Sequence, residues 1–469
     1  MSAQELVYLS LREAADRVRQ QQVSPVELLQ AVLARTDAIE PRIHAYITPT
    51  FDEAMAAARQ AEREIMAGRY LGPLHGIPVA LKDNYWTRGV KTTAGSKFLA
   101  DFVPTEDSTV VAKLRAAGAV ITGKLNMHEL AMGGTTDNPH YGTTHNPWGL
   151  DRVPGGSSGG SGAAVAAGYC YMAMGTDTAG SVRNPAAFCG TAGLKPTYGR
   201  TSIFGIVPYA WTMDHAGPLT RTVEDAALVL NAIAGYDPKD DGSADVPVPD
   251  FTASLGAGVA GLRLGVPRSY FFAPLDPEVR MASDAAIGVL RDLGATVEDL
   301  DWPGAEPAIP IYQLIRGPES ASFQEKFLQH PEDYGADVRA TPQTGALVLA
   351  TDYLRAQRVR AALRAELADL LTRVDALLTP TTRTTAPRIG EQVTEIDGQP
   401  VSASLPGIGN TVPFNLTGAP ALSVPCGFAP DGMPIGLQIA GRPWDEATVL
   451  RIGAAYEQAT PWHQRHPDL

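Results

Sequence analysis

The chain has 469 residues, of which 44% are hydrophobic and 19% are charged, and its formal net charge is −13. This length allows one large domain or two or three smaller ones, and the composition is that of a compact globular protein, not a disordered or fibrous one. The negative charge argues against a general affinity for nucleic acid or anionic membranes, because both attract basic patches.

The sequence shows no signal for secretion, membrane insertion or metal binding. The first residues, MSAQELVYLS, show no basic start followed by an apolar stretch. The segment 163–175 is too short to span a bilayer and is predicted to be a core helix. The three cysteines cannot form an even disulfide framework and lack metal-ligand spacing. We therefore predict a cytoplasmic protein without a metal, a cofactor or membrane association.

The first 70 residues are predicted to be helical. Ser10 with Glu13 and Ser24 with Glu27 form capping-box patterns, the second one with proline at the first helical position. From residue 74 onward, short apolar runs alternate with helical segments. Strands are predicted at 77–81, 119–122, 262–267, 376–379, 421–424 and 435–439, and helices at 51–67, 108–117, 222–234, 278–293, 352–371 and 446–458. This alternation predicts an α/β fold with a parallel or mixed sheet covered by helices.

Two clusters of glycine and serine lie between residues 154 and 185. Glycine loses much conformational entropy on folding, so a dense cluster indicates a backbone that turns tightly or presents its N–H groups. Ser157 stands in the first cluster and Ser181 in the second, and Lys82 follows a predicted buried strand. Serines held in this way, with a lysine within reach, indicate nucleophilic catalysis.

Other motif readings of these residues are weaker. Residues 155–159 match the G-x-S-x-G nucleophile elbow, but proline and glycine interrupt 145–153, where the elbow needs a strand. The cluster lacks the Gly-Lys-Ser/Thr ending of a phosphate loop, and no HRD or DFG element follows the lysine. His128 and Glu129 do not belong to an H-E-x-x-H motif, so structural histidines are favoured over a metal site.

Lys82 is the lysine best suited to act as a base. An ordinary lysine has a pKa of about 10.4 and is protonated near neutral pH. Burial disfavours the charged form and lowers the pKa, so a lysine at the end of a buried strand can lose its proton. Lys91, Lys97 and Lys113 lie instead in polar or helical surroundings. A second hydroxyl could relay the proton between Lys82 and the nucleophile.

The chain resembles the amidase signature hydrolases, a family with a Ser–Ser–Lys triad. The resemblance is carried by GIPVALKDN (76–84), GKLNMHELAMG (123–133), PGGSSGGSGAAVAAG (154–168), GTDTAGSVRNPAAFCGTAGLKPTYGR (175–200), DHAGPLTRTVEDAALVL (214–230) and FNLTGAPALSVPCGFAPDGMPIGLQIAG (414–441). It implies one domain over 1–469, in which a central twisted mixed β-sheet is covered on both sides by α-helices. Its parts would be a helical region (1–70), a signature core (71–235), a variable substrate-side region (236–380) and the C-terminal part of the core (381–469).

The resemblance also implies roles for particular residues. Ser181 would be the nucleophile that forms the acyl-enzyme, Ser157 the bridging serine after a cis peptide bond, and Lys82 the general base and acid. The oxyanion hole would consist of the backbone N–H groups of Thr178, Ala179, Gly180 and Ser181. Ser158 would hydrogen-bond the lysine, and we predict that Asp177 and Arg183 form a structural pair.

The substrate is the least constrained feature. The family includes the glutamine-hydrolysing A subunit of tRNA-dependent amidotransferases, which holds the amino-acid end of glutamine with an arginine of a basic pair and with an aspartate. Here 337–341 reads Asp-Val-Arg-Ala-Thr, without the pair, and 407–413 reads Gly-Ile-Gly-Asn-Thr-Val-Pro, without a carboxylate. Because an uncharged site would not recognise a zwitterion, we favour an uncharged amide, anilide or carbamate (urethane), with ester cleavage by the same route. The glutamine-hydrolysing component of an amidotransferase is the alternative.

The predicted pocket and partners follow from this preference. Pocket residues are predicted to be Met132, Gly133, Phe204, Ile206, Tyr209, Trp211 and Ile408. The expected partner is a small-molecule amide or carbamate, with no nucleic acid and no membrane, and the chain is expected to be a monomer or a homodimer.

Overall fold

The computed structural model of the protein describes residues 1–396, 399–402 and 405–469. The strands are β1 (Tyr46–Pro49), β2 (Pro78–Lys82), β3 (Val120–Leu125), β4 (Asp137–Asn138), β5 (Gly142–Thr143), β6 (Met172–Thr176), β7 (Ala192–Lys195), β8 (Ala216–Thr220), β9 (Arg263–Pro267), β10 (Thr296–Leu300), β11 (Ala376–Pro380), β12 (Val393–Ile396), β13 (Gln399–Ser402), β14 (Ala421–Phe428) and β15 (Pro434–Gly441).

The α-helices of the described chain alternate with these strands. They are α1 (Ala3–Val7), α2 (Leu11–Arg19), α3 (Pro25–Ile43), α4 (Phe51–Met66), α5 (Thr109–Ala116), α6 (Gly159–Ala167), α7 (Arg183–Cys189), α8 (Val223–Ile233), α9 (Arg268–Phe271), α10 (Pro277–Asp292), α11 (Ala308–Phe323), α12 (Ala340–Gly345), α13 (Ala350–Arg373), α14 (Leu405–Ile408), α15 (Val412–Thr417) and α16 (Glu446–Gln458). None of the helices in the described part combines the length and the apolar character needed to cross a membrane.

A mixed sheet forms the centre of the molecule. Eleven strands of the described chain follow the order β1-β3-β2-β6-β8-β7-β14-β15-β11-β9-β10. β2 is parallel to β3 and β6, and β9 is parallel to β10 and β11, whereas the remaining neighbours in this sheet are antiparallel. The predicted α/β fold with a central mixed sheet flanked by helices is confirmed.

The local signals identified in the sequence explain several boundaries. The capping boxes of Ser10 and Ser24 are both formed, and α2 and α3 begin at the residues that follow them. All five residues of β2 are buried, as expected for a parallel strand covered on both faces. The segment 163–175 differs from its prediction. It is not one helix, because α6 ends before Gly168, which has a φ of 82°, and β6 begins shortly afterwards.

The topology places the ends of β2 and β6 side by side. Val79, Ala80 and Leu81 pair in parallel with Met172, Ala173 and Met174. Parallel neighbours end at the same edge of a sheet, and ligands of α/β proteins bind outside such carboxyl ends. Lys82, at the end of β2, and the loop that leads from β6 to α7 therefore lie at one edge of the sheet.

Candidate active site

Lys82 lies at the centre of a hydrogen-bonded group of hydroxyls. Its side chain is fully buried at the end of β2. Nζ donates hydrogen bonds to Ser157 Oγ at 2.7 Å and to Thr176 Oγ1 at 2.8 Å. Thr176 is the last residue of β6, so the parallel pairing of β2 and β6 brings its hydroxyl to the lysine.

The surroundings of Lys82 favour its neutral form. Burial lowers the pKa of Lys82 to about 7, and the nearby carboxylates of Asp214 and Asp177 counteract this only in part. A large fraction of the amine is therefore unprotonated near neutral pH, whereas an ordinary lysine is almost entirely charged. Lys82 can accept a proton from the hydroxyl that it contacts.

Ser157 is held in a tightly packed turn before α6. It is fully buried, and the Gly156–Ser157 peptide bond is cis, as the family resemblance implies. A Cβ atom at residue 156 would lie 2.8 Å from the carbonyl carbon of Gly134 and 2.8 Å from the nitrogen of Thr135. Only glycine allows the two backbone segments to approach this closely, which explains a glycine directly before the serine.

Ser181 is the member of the predicted triad that faces open space. It is 8% exposed and lines a cavity of about 470 Å³, whereas Lys82 and Ser157 are fully buried and do not line it. The N–H of Ser158 donates to the carbonyl of Ser181 at 3.3 Å, which joins the two glycine-serine clusters. A ligand in the cavity would thus meet the Ser181 hydroxyl, with the lysine and the second serine behind it.

The backbone before Ser181 turns sharply and presents N–H groups. Gly180 has a φ of 120°, and a Cβ there would lie 2.3 Å from Thr411 Oγ1. Its own N–H donates to Asp177 Oδ1 at 2.7 Å, so this predicted oxyanion donor is already engaged. The N–H groups of Thr178, Ala179 and Ser181 have no hydrogen-bond acceptor within the described residues.

A buried ion pair supports this turn. Arg183 donates from Nε to Asp177 Oδ2 at 3.0 Å and from Nη2 to Asp177 Oδ1 at 2.9 Å, and both side chains are fully buried. Burial alone would raise the pKa of Asp177, but Arg183 holds it well below its ordinary value. The arginine also donates to Asn415 and Gln438, each at 2.6 Å, which ties the turn to α15 and β15.

The Ser158 hydroxyl is not among the hydrogen-bond partners of Lys82 in the described chain. It donates to the carbonyl of Thr176 at 3.2 Å and accepts from the N–H of Thr176 at the same distance. The hydrogen bond expected from Ser158 to the lysine is made instead by the Thr176 hydroxyl, which the sequence motifs did not indicate. The pairing of β6 with β2 is the feature that would have identified it.

The structure divides the predicted pocket residues into two sets. Met132, Gly133, Tyr209 and Ile408 line the same cavity as Ser181. Phe204 and Trp211 line a separate surface groove, and Ile206 is buried beside Tyr85. A backbone hydrogen bond of 2.8 Å from the Trp86 N–H to the carbonyl of Gly205 holds residues 204–206 against 84–86.

The cavity is lined by charged side chains that were not anticipated, those of Asp137, Arg316, Asp337, Arg388 and Glu391. Arg316, on α11, lines it and donates from Nη1 to Thr341 Oγ1 at 3.0 Å and to the Tyr209 hydroxyl. Asp337 also lines it, with Oδ2 2.8 Å from His128 Nε2. The inference that the site lacks charged partners is therefore wrong. In the described chain, no group of three or more His, Cys, Asp or Glu side chains is arranged to hold a metal ion.

Comparison with known proteins decides the family. The profile of the amidase family matches residues 27–450. This chain belongs to the amidase signature family. It is therefore an enzyme of a family that acts on C–N bonds, as the Lys82 site and the sequence resemblance led us to expect.

Relatives of known name or structure cover almost the whole chain. It is 44% identical to the A subunit of the glutamyl-tRNA(Gln) amidotransferase of Moorella thermoacetica over 99% of each chain. The solved structure of the corresponding protein from Thermotoga maritima is 34% identical, with a TM-score of 0.79 over 98% of this chain and 95% of the other. A bacterial aryl acylamidase of the amidase signature family is 31% identical, with a TM-score of 0.90 over 97% of each chain.

These relatives correct two of our predictions. We predicted a hydrolase of uncharged amides, anilides or carbamates, acting on a small molecule without a nucleic-acid partner. The relative that is 44% identical over 99% of each chain is instead named as the A subunit of the glutamyl-tRNA(Gln) amidotransferase. The predicted substrate class and partners are wrong, and the comparisons support the alternative, the A subunit of an amidotransferase.

Proposed function

We propose that this protein is the A subunit of a glutamyl-tRNA(Gln) amidotransferase and that it releases ammonia from the side-chain amide of glutamine. The observation that carries the proposal is the 44% identity to such a protein over 99% of both chains. The hydrogen bond of 2.7 Å between Lys82 and Ser157, together with a Ser181 that lines the cavity, supports the proposed hydrolytic chemistry.

In the first half of the proposed reaction, Ser181 Oγ attacks the amide carbon of glutamine. Its proton passes to Ser157 Oγ, whose own proton passes to the neutral amine of Lys82. When the tetrahedral intermediate collapses, the C–N bond breaks and the proton returns through Ser157 to the leaving nitrogen. Ammonia leaves, and the glutamyl group remains as an ester on Ser181.

In the second half, water attacks this ester and gives up a proton along the same relay. The bond to Ser181 breaks, the serine recovers its proton, and glutamate leaves. One neutral lysine thus serves as the base when each intermediate forms and, once protonated, as the acid when each collapses.

The negative oxygen of both intermediates needs hydrogen-bond donors. We propose the N–H groups of Thr178, Ala179 and Ser181, which have no acceptor within the described chain, and we exclude that of Gly180 because it donates to Asp177. Losing one such donor typically costs about 2.7–4 kcal/mol of transition-state stabilisation.

The proposal also assigns partners. Ammonia released here would pass to a glutamyl-tRNA bound by the other subunits of the enzyme. The formal net charge of −13 repels phosphate groups, so we propose that the other subunits supply most of the contacts to the tRNA.

The test is glutamine hydrolysis by the chain alone and in complex with the other amidotransferase subunits. Glutamate and ammonia are measured first, and then the conversion of glutamyl-tRNA to glutaminyl-tRNA with ATP. In the complex, we expect Ser181→Ala to abolish the glutamine-dependent conversion but to leave the conversion that uses added ammonium. Ser161→Ala, which removes a hydroxyl bonded to the carbonyl of Met174 at 3.0 Å, is the matched control and should retain both. Absence of glutamine hydrolysis in the complete complex would refute the proposed function.

A further inference from the structure

We propose that Arg316 binds the carboxylate of the substrate and that Asp337 binds its ammonium group. This inference rests on the proposed function in one respect: it takes the substrate to be a free amino acid with a side-chain amide. The two residues would then determine the specificity of the cavity, while Ser181 and the residues behind it perform the chemistry.

Arg316 is a cation that lacks an anionic partner in the described part of the protein. Its Nη1 donates to two neutral hydroxyls, those of Tyr209 and Thr341. Its Nε is shielded from solvent and has no hydrogen-bond partner among the described residues. A shielded guanidinium donor without an acceptor is costly, and a carboxylate accepts from two guanidinium N–H groups at once. A ligand carboxylate would satisfy the donors that the protein leaves open.

Two aromatic rings and a close contact between helices hold Arg316 in place. The guanidinium carbon lies 5.1 Å from the ring centre of Tyr312 and 5.9 Å from that of Tyr209. A Cβ at Gly345, on α12, would lie 2.0 Å from the carbonyl oxygen of Gly317, on α11. Because these two helices touch through glycine backbones, the arginine at 316 is brought against α12 and reaches Thr341.

The contact with Thr341 places the positive charge of Arg316 beside the segment in which an arginine was expected. The family resemblance places an arginine in a basic pair within the region 337–341, and this chain has alanine and threonine at 340 and 341. Arg316 Nη1 lies 3.0 Å from the Thr341 hydroxyl, so its positive charge stands beside that segment. The cation of the cavity comes from α11 and not from the segment that was expected to carry it.

Asp337 supplies the opposite charge. It lines the same cavity as Arg316 and Ser181, and its side chain is 55% exposed although Oδ2 contacts His128. The exposed carboxylate can accept a second hydrogen bond from an ammonium group. The other charged side chains that line the cavity have partners of their own: Arg388 is paired with Asp151, Glu391 accepts from the Arg388 N–H, and Asp137 accepts from the Thr143 hydroxyl. Arg316 and Asp337 together match the two charges of a zwitterion, whereas an uncharged amide would leave both unused.

The test uses three amides that differ only at the end remote from the reacting bond. Glutamine carries both charges, glutaramic acid carries only the carboxylate, and butyramide carries neither. Hydrolysis of each by the complex with its partner subunits is followed by ammonia release. We expect Arg316→Met to lower kcat/KM for glutamine and glutaramic acid by roughly 10- to 100-fold, mainly through KM, and to affect butyramide much less. Arg316→Lys should restore part of the loss.

Two further variants make the comparison specific. Asp337→Asn should raise KM for glutamine but not for glutaramic acid, which has no ammonium group. Arg339→Met removes an exposed arginine close to Asp337 in sequence and should leave all three substrates unaffected. Thermal unfolding of each variant shows that the comparison is made between folded proteins.

The outcomes separate this inference from the proposed function. Equal losses on all three substrates in Arg316→Met, or a wild type that does not prefer carboxylate-bearing amides, would overturn the role of Arg316. If the wild type hydrolyses glutaramic acid in an Arg316-dependent way but never glutamine, the proposed function fails, the assignment of Arg316 stands and that of Asp337 falls.

Discussion

The burial of Lys82 predicts a specific dependence of hydrolysis on pH. Its pKa is lowered to about 7 from the ordinary value of 10.5, chiefly by burial. This difference corresponds to about 5 kcal/mol in favour of the neutral amine. At pH 7 about half of the molecules then carry a neutral base, compared with roughly 3 in 10,000 for an ordinary lysine. Since only the neutral amine can accept the proton from Ser157, the rate should follow this fraction.

The assay is kcat/KM for glutamine from ammonia release between about pH 5.5 and 9.5, which reports groups of the free enzyme. We expect a plateau above about pH 8, half of the maximal rate near pH 7 and a tenfold fall per pH unit below about pH 6. Lys82→Arg, whose side chain stays protonated throughout this range, should be inactive at every pH. Lys91→Arg, an exposed conservative change, is the control and should reproduce the wild-type curve.

Two results would refute this reasoning. One is a rate that stays constant from about pH 5.5 to 8, and the other is near wild-type activity in Lys82→Arg. His128 also lines the cavity, so its contribution is tested separately. The acid limb must persist in His128→Gln if Lys82 is its origin.

Three other substitutions test the surroundings of the lysine. Ser181→Ala should abolish glutamine hydrolysis without lowering the thermal midpoint, and near wild-type turnover would exclude Ser181 as the nucleophile. Thr176→Val removes a hydroxyl that accepts a hydrogen bond from protonated Lys82, so the pKa of Lys82 should fall and the acid limb should move to lower pH. We also expect the rate on the plateau to fall roughly tenfold. An unchanged profile would show that the 2.8 Å contact is not used. Arg183→Met should destabilise the protein by about 3–5 kcal/mol, because Asp177 stays buried without its partner, and an unaltered denaturation midpoint would contradict this.

The sequence predicted elements well where local signals were complete. Helix α16 has the predicted bounds, and the predicted helix at 278–293 is displaced by one residue at each end, because apolar spacing and end signals agree in both. α11 was missed because it begins near Pro310 and contains Gly317 and Pro318, residues that normally interrupt helices. β6 was missed because its apolar residues continue those of α6 without a change in composition.

The same distinction applies within the site. Lys82, Ser157 and Ser181 stand in contiguous motifs, so the sequence could identify them as candidates before their positions were known. Thr176 touches the lysine only because β6 is the parallel neighbour of β2. No spacing along the chain encodes that contact, since it depends on the order of the strands in the sheet.

The substrate prediction failed for a related physical reason. It treated the absence of a basic pair at 337–341 as the absence of charge from the pocket. The charge of a cavity depends on every element that lines it, and α11 places Arg316 next to Thr341 from outside that segment. Asp337 stood within the segment, yet only the fold shows that its carboxylate faces the cavity. Because a buried charge must be balanced by whatever occupies the space beside it, the substrate has to be inferred from the complete wall.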